Sequence, residues 1–308
     1  MAAETVFIVN PASSNGSTGR RWRTHEVELR RELGMAFEVH ATERRGHATD
    51  LARDALAAGA RTVVAVGGDG TLNEVVNGFL ADDGRARTPD ARIAFFAVGT
   101  GSDFARTLPM PRSAKEFARL LREDRIRTVD AGRCEFLEGG VRRARYFLNI
   151  AEFGSGGAVV DRVNRTTKIL GGRMSFTIAI LRTLPKYRNT RVVYEADGGG
   201  SQETIVNDFV VANGRYFGAG LLPAPTADLE DGLLDVVVFG DIDFKTARRN
   251  LPALRRGEHL AMKEVTAFRC RSIAVRSQEE MIDLDGEYVG RHPLRFDVVP
   301  KAVPILSE

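Results

Sequence analysis

The chain has 308 residues, 43% of them hydrophobic and 28% charged, with a formal net charge of +3. That length allows two domains or one large one, and the composition is that of a globular protein. No run approaches the roughly 20 apolar residues that span a bilayer, so no transmembrane segment is expected. The start, MAAETVFIVNP, lacks a signal peptide's basic flank and cleavage site, which points to the cytoplasm. Cys134 and Cys270 lie far apart with no Cys-x-x-Cys or Cys/His spacing, which argues against a zinc site and a disulfide framework. Lysine supplies only six of the 44 basic residues. Arginine suits phosphate and anionic surfaces, but these charges are scattered rather than blocked, so no nucleic-acid partner is expected.

Along the chain, TVFIV (5–9), AFEVHA (36–41), TVVAV (62–66) and RIAFFAV (92–98) read as short apolar strands. Between them, 20–33, 47–59 and 71–80 place apolar residues at helical spacing. Strand and helix in alternation predict a parallel sheet covered by helices, with ligands outside the carboxyl ends of the strands. Beyond residue 130 the pattern changes to strands separated by turn residues: 146–151, 190–196, 204–213, 234–239, 265–270, 272–277, 281–286 and 294–299. These predict an antiparallel sandwich or barrel, interrupted by helices at 156–168, 173–184 and 244–256. The expected division is therefore 1–130 and 131–308, with the last strand, LRFDVV, free to return to the first domain.

VVAVGGDGTLNEVVNGFL (63–80) sets a glycine-rich turn between a strand and a helix. It is neither a P-loop nor the Gly-x-Gly-x-x-Gly dinucleotide fingerprint. Thr71 and Glu74 have the spacing of a capping box. Small residues there let a phosphate approach the helix amides, yet Asp69 would repel it unless a cation or a donor intervened. A tight structural turn and a nucleotide site both fit these residues.

Gly67-Gly68-Asp69-Gly70-Thr71 resembles the signature shared by diacylglycerol, sphingosine and NAD kinases. VNPASSNGSTGR (9–20), AVGTGSDFAR (97–106), NGRYFGAGLLPAPTADLEDGLLDV (213–236) and LDGE (284–287) follow in an order similar to that of the bacterial lipid kinases of the diacylglycerol kinase family. The resemblance implies an N-terminal α/β nucleotide domain and a C-terminal β-rich domain with the active site in the cleft between them. It implies ATP along Gly67, Gly68, Asp69, Gly70, Thr71, Leu72 and Asn73, with Asn10, Thr42 and Thr100 nearby. Asp69 would order the phosphate loop or face magnesium and its waters; both roles stay open. Ala97-Val98 stands where the family has Pro before Gly-Thr, and Ser102 replaces the usual Asn.

In ADLEDGLLDV (227–236) the residues alone suit a solvated turn ahead of a strand, while magnesium needs only oxygen ligands and retained water. The family pattern implies a Mg2+ site at Asp231 with the Asp228 and Leu233 positions. Asp285-Gly286 is a strong hairpin signal. The resemblance implies that Asp285 or Glu287 accepts the proton of a lipid hydroxyl, Asp285 being narrowly favoured.

RMSFTIAILRTLPKYR (173–188) fits either a core helix with a basic end or a face resting on a membrane. The implied activity is ATP- and Mg2+-dependent phosphorylation of a lipid alcohol, most simply diacylglycerol, by a cytoplasmic enzyme that docks peripherally on a membrane. Phosphatidylglycerol or a sphingoid base as acceptor, an NAD kinase, and a silent nucleotide- or lipid-binding regulator are the alternatives. Exposed sheet edges leave a homodimer open.

Overall fold

The computed structural model describes residues 4–98, 102–165, 183–218, 220–277 and 280–308. Two compact units emerge, Met1–Val129 with Lys301–Glu308, and Asp130–Pro300. The last residues do join the first unit, but the returning piece is 301–308, not LRFDVV. The expected helix at 173–184 falls, apart from its last two residues, outside the described residues, as does Thr100.

The first unit contains β1 (Thr5–Val9), α1 (Ser17–Leu33), β2 (Glu38–Ala41), α2 (His47–Ala57), β3 (Thr62–Gly67), α3 (Asp69–Phe79), β4 (Arg92–Ala97), α4 (Phe104–Thr107) and α5 (Ala114–Glu123). Its strands are parallel in the order β2-β1-β3-β4, and Ile305 adds a parallel bridge to Ile93. β1 and β3 are buried along their whole length, which explains their unbroken apolar sequence, since helices cover both faces. Phe7 and Val9 pack with Trp22, Leu29, Phe117 and Leu120 of α1 and α5. The chain leaves β1 in one direction to β2 and in the other to β3, so the loops after β1 and β3 meet at a topological switch point.

Two local expectations change. Thr71 and Glu74 form no capping box: α3 begins at Asp69 after Gly68, and no side chain caps it. Glu74 instead accepts the amides of Gly46 (2.8 Å) and Ala48 (3.0 Å), capping the neighbouring α2. A Ser-x-x-Glu cap does form at α5, a helix that the sequence reading lacks, where Ser113 accepts the amide of Glu116 and donates to its carboxylate.

In the second unit β5 (Ile126–Glu138), whose first residues belong to the first unit, pairs with β6 (Val141–Phe147). The outer positions of this hairpin are charged, which hides it from an apolar-strand pattern; Arg142 pairs with Glu135 and Arg143 with Glu138 across it, and Arg133 with Glu135 along β5. The remaining elements are β7 (Ile150–Gly154), α6 (Ser155–Arg165), β8 (Thr190–Ala196), β9 (Gln202–Val206), β10 (Asp208–Ala212), β11 (Leu234–Phe239), α7 (Phe244–Arg256), β12 (Val265–Cys270), β13 (Ser272–Ser277), β14 (Met281–Leu284) and β15 (Glu287–Leu306). An antiparallel ladder runs β12-β11-β10-β7-β14-β15, and β15 also pairs with β13, which leads through β8 to β9. Phe136, Phe147, Phe153, Phe209 and Phe296 lie in one core. The single strand expected at 204–213 is two. Asn207 interrupts it, giving its amide to the carbonyls of Phe239 and Gly240, so that β9 and β10 join different partners.

Three carboxyl groups lie inside this sandwich. Glu152 on β7 faces Asp283 across the β7–β14 ladder, and Asp208 begins the strand on its other side; all three are buried. Gly156 of α6 closes over them, since a Cβ there would lie 2.4 Å from the Glu152 carboxyl. Burial, and then mutual repulsion, pushes Glu152 well above the usual carboxylate range. Burial likewise raises Asp283, and Asp208 to about 7. The folded chain thus holds protons that the unfolded chain releases near pH 4 (about the ordinary carboxylate value), so stability falls as pH rises through 7. Thermal melts should therefore give a lower Tm at pH 8 than at pH 5.5. Glu152→Gln should flatten that slope, about 2–4 °C in Tm per kcal/mol recovered; an unchanged slope would show that the cluster carries no such load.

Candidate active site

In the first unit the switch point brings the loop after β1 onto the start of α3. Asn10 gives its backbone N–H to Val66 O (3.0 Å), and its Nδ2 donates to Thr71 Oγ1 (3.1 Å). Ser13 donates to the Asn10 carbonyl (2.9 Å) and shares a hydrogen bond with the Thr18 hydroxyl (2.6 Å). Thr42 lies one strand over, its amide on Val9 O (2.8 Å). These residues close around Gly67, where a Cβ would sit 2.4 Å from Thr71 Oγ1 and 3.3 Å from Ser13 Oγ. Packing therefore demands glycine at 67. At Gly68 it does not: a Cβ there meets nothing within 4 Å, and its φ of −113° suits any residue. The glycine leaves open space at a helix start. Thr71 and Leu72 direct their amides to Gly68 O, while the amides of Gly68, Asp69 and Gly70 have no partner among the described residues. Such donors at a helix N-terminus favour an anion.

Asp69 turns away from that space. Its carboxylate accepts Ser102 Oγ (2.6 Å) and the amides of Asp103 (2.8 Å) and Phe104 (3.2 Å), anchoring the start of α4 to the start of α3. Burial raises its carboxyl, opposed by these donors. Ser102 serves here in place of the family's Asn. Leu72 and Asn73 are buried, and Asn77 Nδ2 donates to the Asn73 carbonyl (2.8 Å) and to its Oδ1 (3.3 Å).

In the second unit the two acidic turns belong to one hydrogen-bonded frame. Asp285 (φ 52°) and Gly286 (φ 86°) make the left-handed turn between β14 and β15. The Asp285 carboxylate accepts three backbone amides, those of Leu148, Asn149 and Ile150, each at 2.9 Å. Asn213, fully buried, donates through Nδ2 to the carbonyls of Leu148 (2.7 Å) and Asp130 (3.1 Å). Asp130 in turn accepts the Gly232 amide (2.7 Å) and gives its own amide to Leu229 O (2.6 Å). Asp130, Asn149 and Asn213 are residues that the sequence reading missed. The available signal was a polar residue within or beside an apolar strand, at Asn149, Glu152 and Asn213.

Asp228 and Asp231 are brought into one exposed turn. Each uses one oxygen to accept an amide two residues on, from Glu230 and Leu233 respectively (both 3.0 Å). Arg269 stands 3.6 Å from the other Asp231 oxygen and 3.4 Å from Asp235. Partial burial raises the Asp231 carboxyl above its usual value, against the Leu233 amide and Arg269. No group of three or more Asp, Glu, His and Cys side chains among the described residues converges for a metal. An oxygen-only turn with two carboxylates nevertheless fits a hard cation that keeps several waters.

Residues 4–134 match the family described as the diacylglycerol kinase catalytic domain, and residues 149–307 match the YegS C-terminal NAD kinase beta sandwich-like domain. The diacylglycerol kinase of Bacillus subtilis (strain 168) is 30% identical over 294 residues, spanning 94% of this chain and 91% of that protein. The chain belongs to the diacylglycerol kinase family. The diacylglycerol kinase of Mycobacterium tuberculosis (strain ATCC 25618 / H37Rv) is 29% identical over 307 residues, 98% of this chain and 94% of that protein. Among solved structures, a putative diacylglycerol kinase from Bacillus anthracis str. Sterne aligns with a TM-score of 0.75 at 22% identity, over 99% of this chain and 96% of that one. An NAD kinase from Archaeoglobus fulgidus in complex with ATP aligns at 0.52 and 15%, over 98% and 92%, a likeness of fold. This protein is thus a lipid-kinase family enzyme whose acceptor is an alcohol. None of its helices, among the described residues, is long and apolar enough to cross a membrane.

Gly67 and Gly68 separate fold from ligand. Gly67→Ala should cost about 1–3 kcal/mol of stability through the Thr71 clash. Gly68→Asn supplies a favoured N-cap residue and should leave Tm unchanged or higher, while weakening ATP at least about tenfold by filling the open space. Calorimetric titration with ATP beside thermal melts checks both, and unaltered ATP binding in Gly68→Asn would remove the loop from the ligand.

Proposed function

We propose that this kinase transfers the γ-phosphoryl group of ATP to the hydroxyl of a membrane lipid, diacylglycerol being the simplest acceptor. The observation that carries the reading is the open space at Gly68, bounded by unpartnered amides at the switch point. The amides of Gly68, Asp69 and Gly70 would receive the phosphates, with Asn10 and Thr71 holding the loop; Thr42 and Thr100 would lie near the rest of the nucleotide. Asp69 acts through α4, anchoring its first residues, rather than meeting the phosphates. The ATP-bound NAD kinase of similar fold supports ATP as the donor.

In the second unit the family triplet Asp285-Gly286-Glu287 divides into two roles. Asp285 is committed to three amides, which engage both of its carboxylate oxygens. Glu287, half-buried at the start of β15, is therefore assigned as the base that orients the lipid hydroxyl and takes its proton late in transfer. That assignment replaces the preference for Asp285. Asp228, Asp231 and the Leu233 carbonyl would hold Mg2+, with Asp130 and Asn213 coupling their turn to the Asp285 turn. When bound, the cation supplies charge neutralisation for phosphoryl transfer. The acceptor implies peripheral docking at a membrane surface from the cytoplasm, with 173–188 as the candidate face.

Labelled γ-phosphate from ATP, offered with Mg2+ to diacylglycerol, phosphatidylglycerol, a sphingoid base and NAD in parallel, tests the reading. Labelled diacylglycerol is the expected result, and label in NAD alone would overturn the lipid assignment. Glu287→Gln should lower kcat by roughly 10²–10⁴ with ATP affinity and Tm retained, whereas Asp285→Ala should lower Tm by releasing three amides. Near-full turnover in Glu287→Gln would return the base to Asp285.

A further inference from the structure

We propose that the first unit carries a second anion site, a pocket for a phosphate group formed by Arg20, Arg21 and Arg112 and sharing no residue with the glycine loop. The cavity is about 390 Å³ and is lined by Arg20, Arg21, Thr24, His25, Val98 and Arg112, within the range of small-ligand pockets (about 300–1,000 Å³). Four of these residues come from one face of α1: positions 20, 21, 24 and 25 are neighbours at i+3 and i+4 spacing. Val98 directly follows β4, and Arg112 lies two residues before α5.

None of the three arginines has a carboxylate partner among the described residues, whereas several other guanidinium groups of this unit do: Arg30 with Glu26 (2.7 Å), Arg44 with Asp50 (2.6 Å), Arg92 with Asp124 (2.7 Å) and Arg119 with Glu308 (3.0 Å). Their placement also opposes the helix dipole, which disfavours cations at an N-terminus. Arg20 and Arg21 occupy the beginning of α1, whose first turn holds no acidic residue, and Arg112 precedes the beginning of α5. Like charges gathered at the positive ends of two helices repel one another and both dipoles. A bound anion adds an attraction to each guanidinium and to both helix ends that offsets those repulsions.

The lining suits phosphate in particular. Guanidinium groups present forked donors that match phosphate oxygens, and the Thr24 hydroxyl adds a neutral donor. The His25 ring packs edge-on against Phe96 with centroids 5.3 Å apart, and its Nδ1 is buried with no partner among the described residues. Burial keeps His25 below its ordinary pKa, the Arg21 charge acting in the same direction and Glu28 against it. Burial thus favours the neutral ring. The inference stands apart from the kinase reading, because the pocket would take phosphate whether or not the chain transferred any.

The Arg Nε–Hε resonances of the whole protein, assigned by single Arg→Lys variants, would be followed while inorganic phosphate is added. Saturable shifts confined to Arg20, Arg21 and Arg112 are expected. Arg20→Ala or Arg112→Ala should weaken the binding about tenfold or more with Tm unchanged. A parallel sedimentation with phosphatidylglycerol and phosphatidylcholine vesicles separates the sources of the phosphate. Loss of phosphatidylglycerol binding in the same variants assigns the pocket to a lipid headgroup; vesicle binding indifferent to them, with saturable phosphate shifts, assigns it to a soluble phosphate compound. Linear, unsaturated shifts together with vesicle binding indifferent to the three arginines would overturn the site. Unaltered phosphate shifts in Gly68→Asn, with ATP binding weakened, keep this outcome distinguishable from any failure at the glycine loop.

Discussion

A polar side chain cut off from water must take its partners from the protein, and in the second unit this requirement joins segments far apart in sequence. Asn213 has no exposure, and its amide spans the carbonyls of Leu148 and Asp130. Each carbonyl left bare would cost about 1–3 kcal/mol. The same stretch after Leu148 gives three successive amides to Asp285, and Asp130 holds the turn that carries Asp228 and Asp231. The acidic turn and the hairpin turn are thus two ends of one frame. Glu287, two residues after Asp285, takes its position from that frame.

The first unit solves a related problem at the switch point. A glycine-rich loop has few side chains of its own to define its shape. Its shape is set from outside, by Asn10 and Ser13 of the preceding loop and by Asp69, which ties α3 to α4. The negative charge at the centre of the glycine motif is therefore no obstacle to phosphate. It is engaged by Ser102 and two backbone amides, which oppose the rise that burial causes in its pKa.

Both units also hold charges that their own folds leave uncompensated. Glu152, Asp208 and Asp283 are forced together by strand register, because side chains facing one another on adjacent strands share a surface. They relieve the repulsion by retaining protons. Arg20, Arg21 and Arg112 have no such recourse, since guanidinium does not lose its proton in proteins. Exposed as they are, they can be relieved by an external anion, which is why the two clusters lead to different inferences.

The sequence by itself determined the two-part architecture, the parallel order of the first half, the Asp285-Gly286 hairpin and the family. Local periodicity, turn chemistry and an ordered set of motifs carry that information within short windows. It could not determine which acid of 285–287 is tied up, since the donors to Asp285 lie some 135 residues upstream. Glu74 read as a cap for its own helix and serves its neighbour, because the packing of α2 against α3 put closer amides within reach. The charged β5–β6 hairpin and the break at Asn207 were likewise invisible, as cross-strand ion pairing and a change of ladder partner have no local signature. The buried acids and the arginine pocket are properties of register and helix placement. Only the tertiary structure brings such residues together, and with them comes the electrostatic tension from which their chemistry follows.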